Sequence, residues 1–266
     1  MSKSFLSYLG GKSLLAPKIL PLVPAHTCYA EVFAGAAWML FKKPPSKVEV
    51  INDINSDLIT LYRVIQNHLE EFCRQFKYQL IARDEYKRHV DENPETLTDI
   101  QRAARFYYLL RTTYGSKLAF DSFGVSAIKP PRINLVRLEE ELSEAHLRLN
   151  RVWVENMSYE RFIPRFDKPE TFFYIDPPYY NCEDYYGEGI FSKDDFVTLA
   201  ALLKPLQGKF ILSLNDLPEV REIFKGYRFA SMETKYTISG KSQKVKEVLI
   251  LNYDPSKTAK FAPLHQ

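Results

Sequence analysis

Hydrophobic and polar positions along the chain follow two rhythms. Short apolar runs at 28–33, 48–51, 152–154, 172–175 and 210–214 each end in glycine, proline, asparagine or an acidic residue. They read as strands of a buried sheet, because β-branched and aromatic side chains suit a pleated surface and need no polar alternation when both faces are covered. Elsewhere apolar residues recur every three or four positions. Trp38 to Phe41 start one helix, and Leu58, Leu61, Tyr62, Ile65, Leu69 and Phe72 form a stripe along another. A further helix begins at Ile100, one spans 135–150, and one runs from Ser192 to Pro205, opened by a relaxed capping box with an acid three residues on.

Strand, turn and helix alternate before residue 56 and again after 136, but not between. This pattern predicts a doubly wound, Rossmann-like α/β sheet built from 1–56 and 136–266, with a mainly helical insert at 57–135. The strands expected at 227–236 and 245–253 are joined too closely for a parallel crossover, which predicts an antiparallel end to a mostly parallel sheet. Residues 5–24 hold a short helical piece ending at Pro21 and Pro24, and the tail after Pro255 is expected to fray.

The chemistry gathers at the strand exits. Phe172 to Ile175 run directly into Asp176, Pro177, Pro178 and Tyr179. Neither proline can donate a hydrogen bond, and each keeps its predecessor out of the helical region, so a carboxylate and a ring leave the strand on a stiff backbone. Ionised Asp176 only accepts, and the carbonyls of Asp176 and Pro177 add acceptors. Such a set suits an exocyclic amino group, with Tyr179 as a flat surface to stack on; a proline turn after a strand is the plainer alternative. Upstream, the strand ending in Glu31, Val32 and Phe33 enters the small-residue turn Ala34, Gly35, Ala36, Ala37, and the strand at 48–51 ends in Asn52 and Asp53. Asp53 lies where the ribose-binding carboxylate of a doubly wound nucleotide site belongs, about 20 residues past the glycine turn. Gly11-Lys12-Ser13 superficially suggests a phosphate loop, but Leu6 stands where that loop needs a glycine and no strand leads in.

Composition narrows the possibilities. With 36 Lys+Arg against 33 Asp+Glu the net charge is only +3, so a nucleic-acid surface has to come from local clustering. One cluster exists. Between Gln101 and Arg132 the bases are Arg102, Arg105, Arg111, Lys117, Lys129 and Arg132, Asp121 is the sole acid, and Phe and Tyr residues are interleaved. Arg111, Thr112, Tyr114, Ser116, Lys117, Lys129 and Arg132 are the candidate DNA contacts, with cations for phosphates and polar or aromatic groups for bases. A helix with core aromatics and a solvated basic face has the same composition. The polar loop at 180–189 has the make-up of a mobile lid or of plain surface. Cys28, Cys73 and Cys182 show no metal-ligand spacing and read as free thiols of a reducing compartment. No metal site, signal peptide or membrane span is expected, and the expected location is the cytoplasm.

Taken together, Tyr8-x-Gly-Gly11-Lys12, Glu31-Val-Phe33-Ala-Gly35, Asn52-Asp53-Ile-Asn-Ser-Asp57-Leu and Asp176-Pro-Pro-Tyr179 resemble the Dam-like DNA adenine-N6 methyltransferases, the D12 class. The motif order matches as well, with cofactor motifs first, a target-recognition insert next and the catalytic motif last. The resemblance implies an S-adenosylmethionine-dependent enzyme acting on adenine flipped out of duplex DNA; the chemistry requires no metal, and the sequence gives no sign of an obligate protein partner. It implies cofactor binding by Tyr8, Gly11, Lys12, Glu31, Phe33, Gly35, Asp53 and Asp176, and catalysis by Asp176, Pro177, Pro178 and Tyr179. Two features depart from the family. Ala37 stands where a glycine is frequent, and the loop at 112–123 keeps only part of the pattern of GATC-reading members, leaving the target sequence open. Cytosine N4, RNA adenine or a protein glutamine are the alternative acceptors, although glutamine-modifying relatives usually carry Asn at the Asp176 position. An inactive DNA-binding relative is the reading from another class.

Overall fold

The computed structural model describes residues 4–6, 12–116, 118, 120–128, 130–182, 189–238 and 241–261, with the backbone alone at 116, 233–238 and 241–245. Among these, seven strands form one sheet: β1 (Cys28–Glu31), β2 (Val48–Asn52), β3 (Val152–Glu155), β4 (Thr171–Ile175), β5 (Lys209–Asn215), β6 (Arg228–Ile238) and β7 (Lys241–Leu251). Their spatial order is β3-β2-β1-β4-β5-β7-β6. Strands β3 to β5 pair in parallel, with Ala30 opposite Val50 on one side and Phe173 on the other, and β7 pairs antiparallel with both β5 and β6. From β1 the chain moves outward to β2 and β3, then returns to lay β4 on the opposite side. The switch point of the sheet, where α/β folds open a crevice, therefore lies between the exits of β1 and β4.

Side chains alternate across the strands into two cores. Tyr29, Ile51, Phe172, Tyr174 and Leu249 face one layer, while Ala30, Val50, Phe173, Ile175 and Ile250 face the other. Both layers are covered, which is why the strands read as continuous apolar runs. The second layer is closed by α8 (Tyr159–Phe166), α9 (Lys193–Leu203) and α10 (Pro218–Ile223) through Phe162, Phe196, Leu199 and Val220. The short α8 is not foreseen in the sequence, since it has barely two turns and contains Pro164.

The first layer is covered by α1 (Ala16–Ile19), α2 (Trp38–Lys42), α3 (Ser56–Asn67), α4 (Leu69–Gln75), α6 (Asp99–Thr112) and α7 (Leu138–Leu149), with α5 (Arg83–Asp91) packed outside α6. Leu58, Tyr62, Ile65, Phe106 and Tyr107 belong to the same core as Tyr29 and Phe172. The helices between 57 and 112 thus lie on the sheet and share its core. Among the described residues, no helix is long and apolar enough to cross a membrane.

Candidate active site

Three strand exits meet at the switch point. Glu31 ends β1, Asn52 ends β2 and Asp176 follows β4. Asn52, almost fully buried, ties the exits together: its amide donates to the carbonyls of Val32 and Met157, both at 3.0 Å, and its oxygen accepts from the Met157 N–H at 3.0 Å. Beyond β1 the backbone coils through Ala34 to Ala37. Tyr62 donates to the Gly35 carbonyl at 2.8 Å and Ser4 to the Ala36 carbonyl at 2.6 Å, so the turn is clamped from behind. Asp53 accepts from the Gly35 N–H at 3.0 Å and the Asn55 N–H at 2.9 Å, and burial raises its pKa.

Both Gly35 (φ 46°) and Ala37 (φ 48°) occupy the left-handed region. Glycine does so at no steric penalty, whereas an L side chain is strained there by roughly 1–2 kcal/mol. The Ala37 methyl is nevertheless fully buried, and burying one such group is worth about 0.8 kcal/mol. Glycine would also release about 0.4–1 kcal/mol more unfolded-chain entropy. The terms nearly cancel, so Ala37→Gly is expected to change stability by less than about 1 kcal/mol. In contrast, Ala37→Val places a β-branched residue at positive φ and should cost at least about 2 kcal/mol. Urea unfolding of the two variants checks this, and equal costs would contradict it.

The turn lines an open cleft with a cavity volume of about 190 Å³. Phe33, Tyr159 and Phe191 form one wall, their ring centroids 5.7–5.9 Å apart. Tyr159 is fixed by donating to Asp195 at 2.7 Å, and Asp195 also closes the capping box of α9 with Ser192. Among the described residues the cleft is acidic: Glu31, Asp53, Glu160, Asp176 and Asp195 line it, against Lys12 as the cation. The Glu31 carboxylate accepts from the Tyr29 hydroxyl at 2.7 Å and the Leu40 N–H at 3.2 Å. Burial pushes its pKa up to about 8 despite these bonds.

At the exit of β4, Lys12 sits among four groups. Its Nζ lies 3.0 Å from Asp176 Oδ1 and 3.6 Å from Glu247 Oε2, donates to the Tyr179 hydroxyl at 2.6 Å, and stands 4.2 Å from the centre of that ring. Tyr179 in turn donates to Glu247, which also accepts from Ser213 at 3.1 Å. Burial pushes the Asp176 carboxyl up to about 6; Lys12 pulls it down and Glu247 pushes it up. Asn215, at the end of β5, holds Tyr180 with a reciprocal pair of hydrogen bonds, Tyr180 N–H to Oδ1 at 3.0 Å and Nδ2 to the Tyr180 carbonyl at 2.9 Å. The Asp-Pro-Pro-Tyr segment is thereby fixed at both ends.

Of the residues expected at the cofactor, Lys12, Glu31, Phe33, Gly35, Asp53 and Asp176 line this one cleft together with Pro178, while Tyr8 and Gly11 lie outside the described residues. Pro177 is buried and Tyr179 half-buried beside the cleft. Tyr159, Asp195 and Glu247 are site residues the sequence reading did not assign. In the sequence Asp195 is marked only as the acid of the α9 capping box, and Glu247 only as an acid beside the apolar run at 248–251; the structure buries Glu247 fully, where a charge needs a partner.

The expected DNA contacts divide differently. Tyr114 and Arg132 are exposed. Arg111 and Thr112 face inward, because the C-terminal turn of α6 packs on the core: Arg111 donates to the Arg132 carbonyl at 2.5 Å, and Thr112 is buried and donates to the Tyr108 carbonyl at 2.7 Å. Lys117 and Lys129 lie outside the described residues, as does the side chain of Ser116. The loop itself is anchored by Gly124 N–H to the Thr112 carbonyl at 2.7 Å and Tyr114 N–H to the Ser122 carbonyl at 2.9 Å. A Cβ at Gly124 would stand 3.1 Å from that Thr112 oxygen, so the close approach favours glycine.

Comparison with known proteins agrees with this geometry. The chain is 29% identical over 280 residues to the type II methyltransferase M1.LlaDCHI of Lactococcus lactis subsp. cremoris, covering 94% of this chain and 95% of that one. It is 25% identical over 239 residues to the type II methyltransferase M.CviBI of Paramecium bursaria Chlorella virus NC1A, covering 88% and 91%. With the DNA adenine methylase of Escherichia coli K12 it shares 25% identity over 277 residues, covering 96% of each. Residues 8–238 match the family of D12 class N6 adenine-specific DNA methyltransferases. Since that match takes in the insert as well as the strands around the cleft, the chain belongs to this family of S-adenosylmethionine-dependent enzymes that methylate adenine in DNA.

Proposed function

We propose that the cleft between β1 and β4 holds S-adenosylmethionine and that Asp176, Pro177, Pro178 and Tyr179 receive an adenine flipped out of the duplex. The observation that carries this reading is the convergence of five carboxylates and an aromatic wall on one cleft at the switch point. A sulfonium cation with a ribose and a planar base fits that donor set. Asp53 would hold the ribose hydroxyls, Glu31 the cationic amino-acid end, Phe33 the apolar body, and Gly35 would let the backbone come close. Tyr8, Gly11 and Lys12 would close the far side. When bound, S-adenosylmethionine supplies a methyl group made electrophilic by its positive sulfur.

The chain's own work concerns the acceptor. Adenine N6 is a poor nucleophile because its lone pair is delocalised into the ring. With Oδ1 of Asp176 facing Lys12, Oδ2 and the Pro177 carbonyl are left to accept the two N–H groups and aim the nitrogen lone pair at the methyl. Tyr179, held at its hydroxyl by Lys12 and Glu247, offers a fixed ring for the extruded base. Orientation and preorganised charge supply most of the acceleration, and the unstacking energy is offset by contacts in the site. Residues 57–135 form the target-recognition part in this reading. Its DNA contacts come from Tyr114, Ser116, Lys117, Lys129 and Arg132, and Arg111 and Thr112 support that loop from within. The three free cysteines fit work in a reducing cytoplasm.

The test is transfer of labelled methyl from S-adenosylmethionine to unmethylated duplex DNA of mixed sequence, followed by digestion to nucleosides and mapping. Label in N6-methyladenine at a recurrent site is the expected result. Label in N4-methylcytosine, or none from enzyme that binds the donor, would overturn the reading.

A further inference from the structure

A second cavity opens among α4, α5 and α6, and it shares no lining residue with the catalytic cleft. Arg105 of α6 lines it and is only 7% exposed. A guanidinium carries a permanent charge and five N–H donors, yet this one makes a single long hydrogen bond, Nη2 to the Val90 carbonyl at 3.3 Å. Its Nε is buried without a partner. Among the described residues no carboxylate stands within ion-pair distance of it. Asp57, the acid that attracts it most, is paired with Arg102, and Glu92 in the cavity wall is engaged by His89 at 3.3 Å. Burial accordingly lowers the Arg105 pKa.

A buried charge without a counterion is among the most unfavourable arrangements a fold can contain. Next to an open cavity it has a direct remedy, an anion delivered from solution. The wall adds a neutral donor: the Gln101 oxygen is spent on capping α6 with Thr98, which leaves its NH₂ to donate. Duplex DNA cannot be the source of the anion, because its phosphates reach only exposed cations and Arg105 is enclosed. We propose that this cavity binds a small molecule through a terminal oxyanion, phosphate or carboxylate, held by Arg105. The inference is independent of the methyl-transfer site.

The experiment follows thermal unfolding of the full chain, without donor or DNA, in inorganic phosphate or acetate against sodium chloride of equal ionic strength. At ten times the dissociation constant, binding should raise the midpoint by about 3–6 °C. A rise in phosphate alone identifies a phosphate site, and a rise in acetate alone identifies a carboxylate site. Arg105→Met removes the buried charge and should abolish the response. Ala104→Phe keeps Arg105 but fills the cavity from its wall, and should abolish it too. The proposal is overturned if neither anion raises the midpoint above chloride, or if the rise persists in either variant.

Discussion

Asp176→Ala is expected to lower methyl transfer at least about a thousandfold, the scale seen when a group aimed at the reacting atoms is lost, while the fold remains intact. Removing this side chain leaves no stranded charge, because Lys12 keeps Glu247 at 3.6 Å. Asp176 itself is a burden to the empty protein. Its carboxyl is shifted from 3.8 to about 6, chiefly by burial, and each pKa unit corresponds to about 1.4 kcal/mol. A carboxylate whose folded pKa is raised contributes stability at low pH that is lost as pH rises through the folded value. The alanine variant should therefore unfold no lower than wild type at pH 7.5, and any advantage should disappear near pH 4. Single-turnover transfer of labelled methyl, with thermal unfolding at both pH values, tests the pair of statements. Activity within tenfold of wild type would sink the assignment of Asp176.

Lys12→Met should have the second largest effect, and by a different route. Lys12 is 3% exposed and stands between two carboxylates. Without it, the buried carboxylates of Asp176 and Glu247 lose the cation that stands between them, a loss of about 3–5 kcal/mol when a buried pair is broken. The protein can relieve this by keeping a proton on Asp176, whose pKa would climb above about 6 once the pull of Lys12 is gone. By the same sign rule the defect should be small at pH 5.5 and full at pH 8. A protonated Asp176 can no longer accept from both sides, so turnover at neutral pH should fall at least about a hundredfold. Urea unfolding at the two pH values and a pH–rate profile measure both effects. A destabilisation that is the same at both pH values, with normal turnover, would show Lys12 to be a bystander.

The strands and the cleft were legible in the sequence because their signals are local. An apolar run ended by Asp176-Pro-Pro, and a small-residue turn 18 residues before Asp53, carry their meaning in neighbouring positions. Partnerships across the sheet were not legible. Nothing near Glu247 announces that it will meet Lys12 and Tyr179; that follows from β7 being placed beside β5. The surroundings of the recognition segment are less legible for a related reason. Arg111 and Thr112 were read by residue type, but the inward turn of α6 decides what they touch, and a basic or hydroxyl side chain satisfies a backbone carbonyl as readily as a phosphate.

The position of β7 has a consequence for how the protein is made. β7 follows every other described strand in the chain, yet it is inserted inside the sheet, between β5 and the strand that precedes it. Until residues 241–251 emerge, β5 presents a bare apolar edge and β6 lacks its strand partner among the described residues. Lys12 also waits for its second carboxylate until then. A nascent or prematurely terminated chain can thus assemble the parallel half of the sheet, but it cannot complete the clamp on Tyr179. Chains cut before residue 241 are expected to be inert in methyl transfer and to associate through the bare edge of β5.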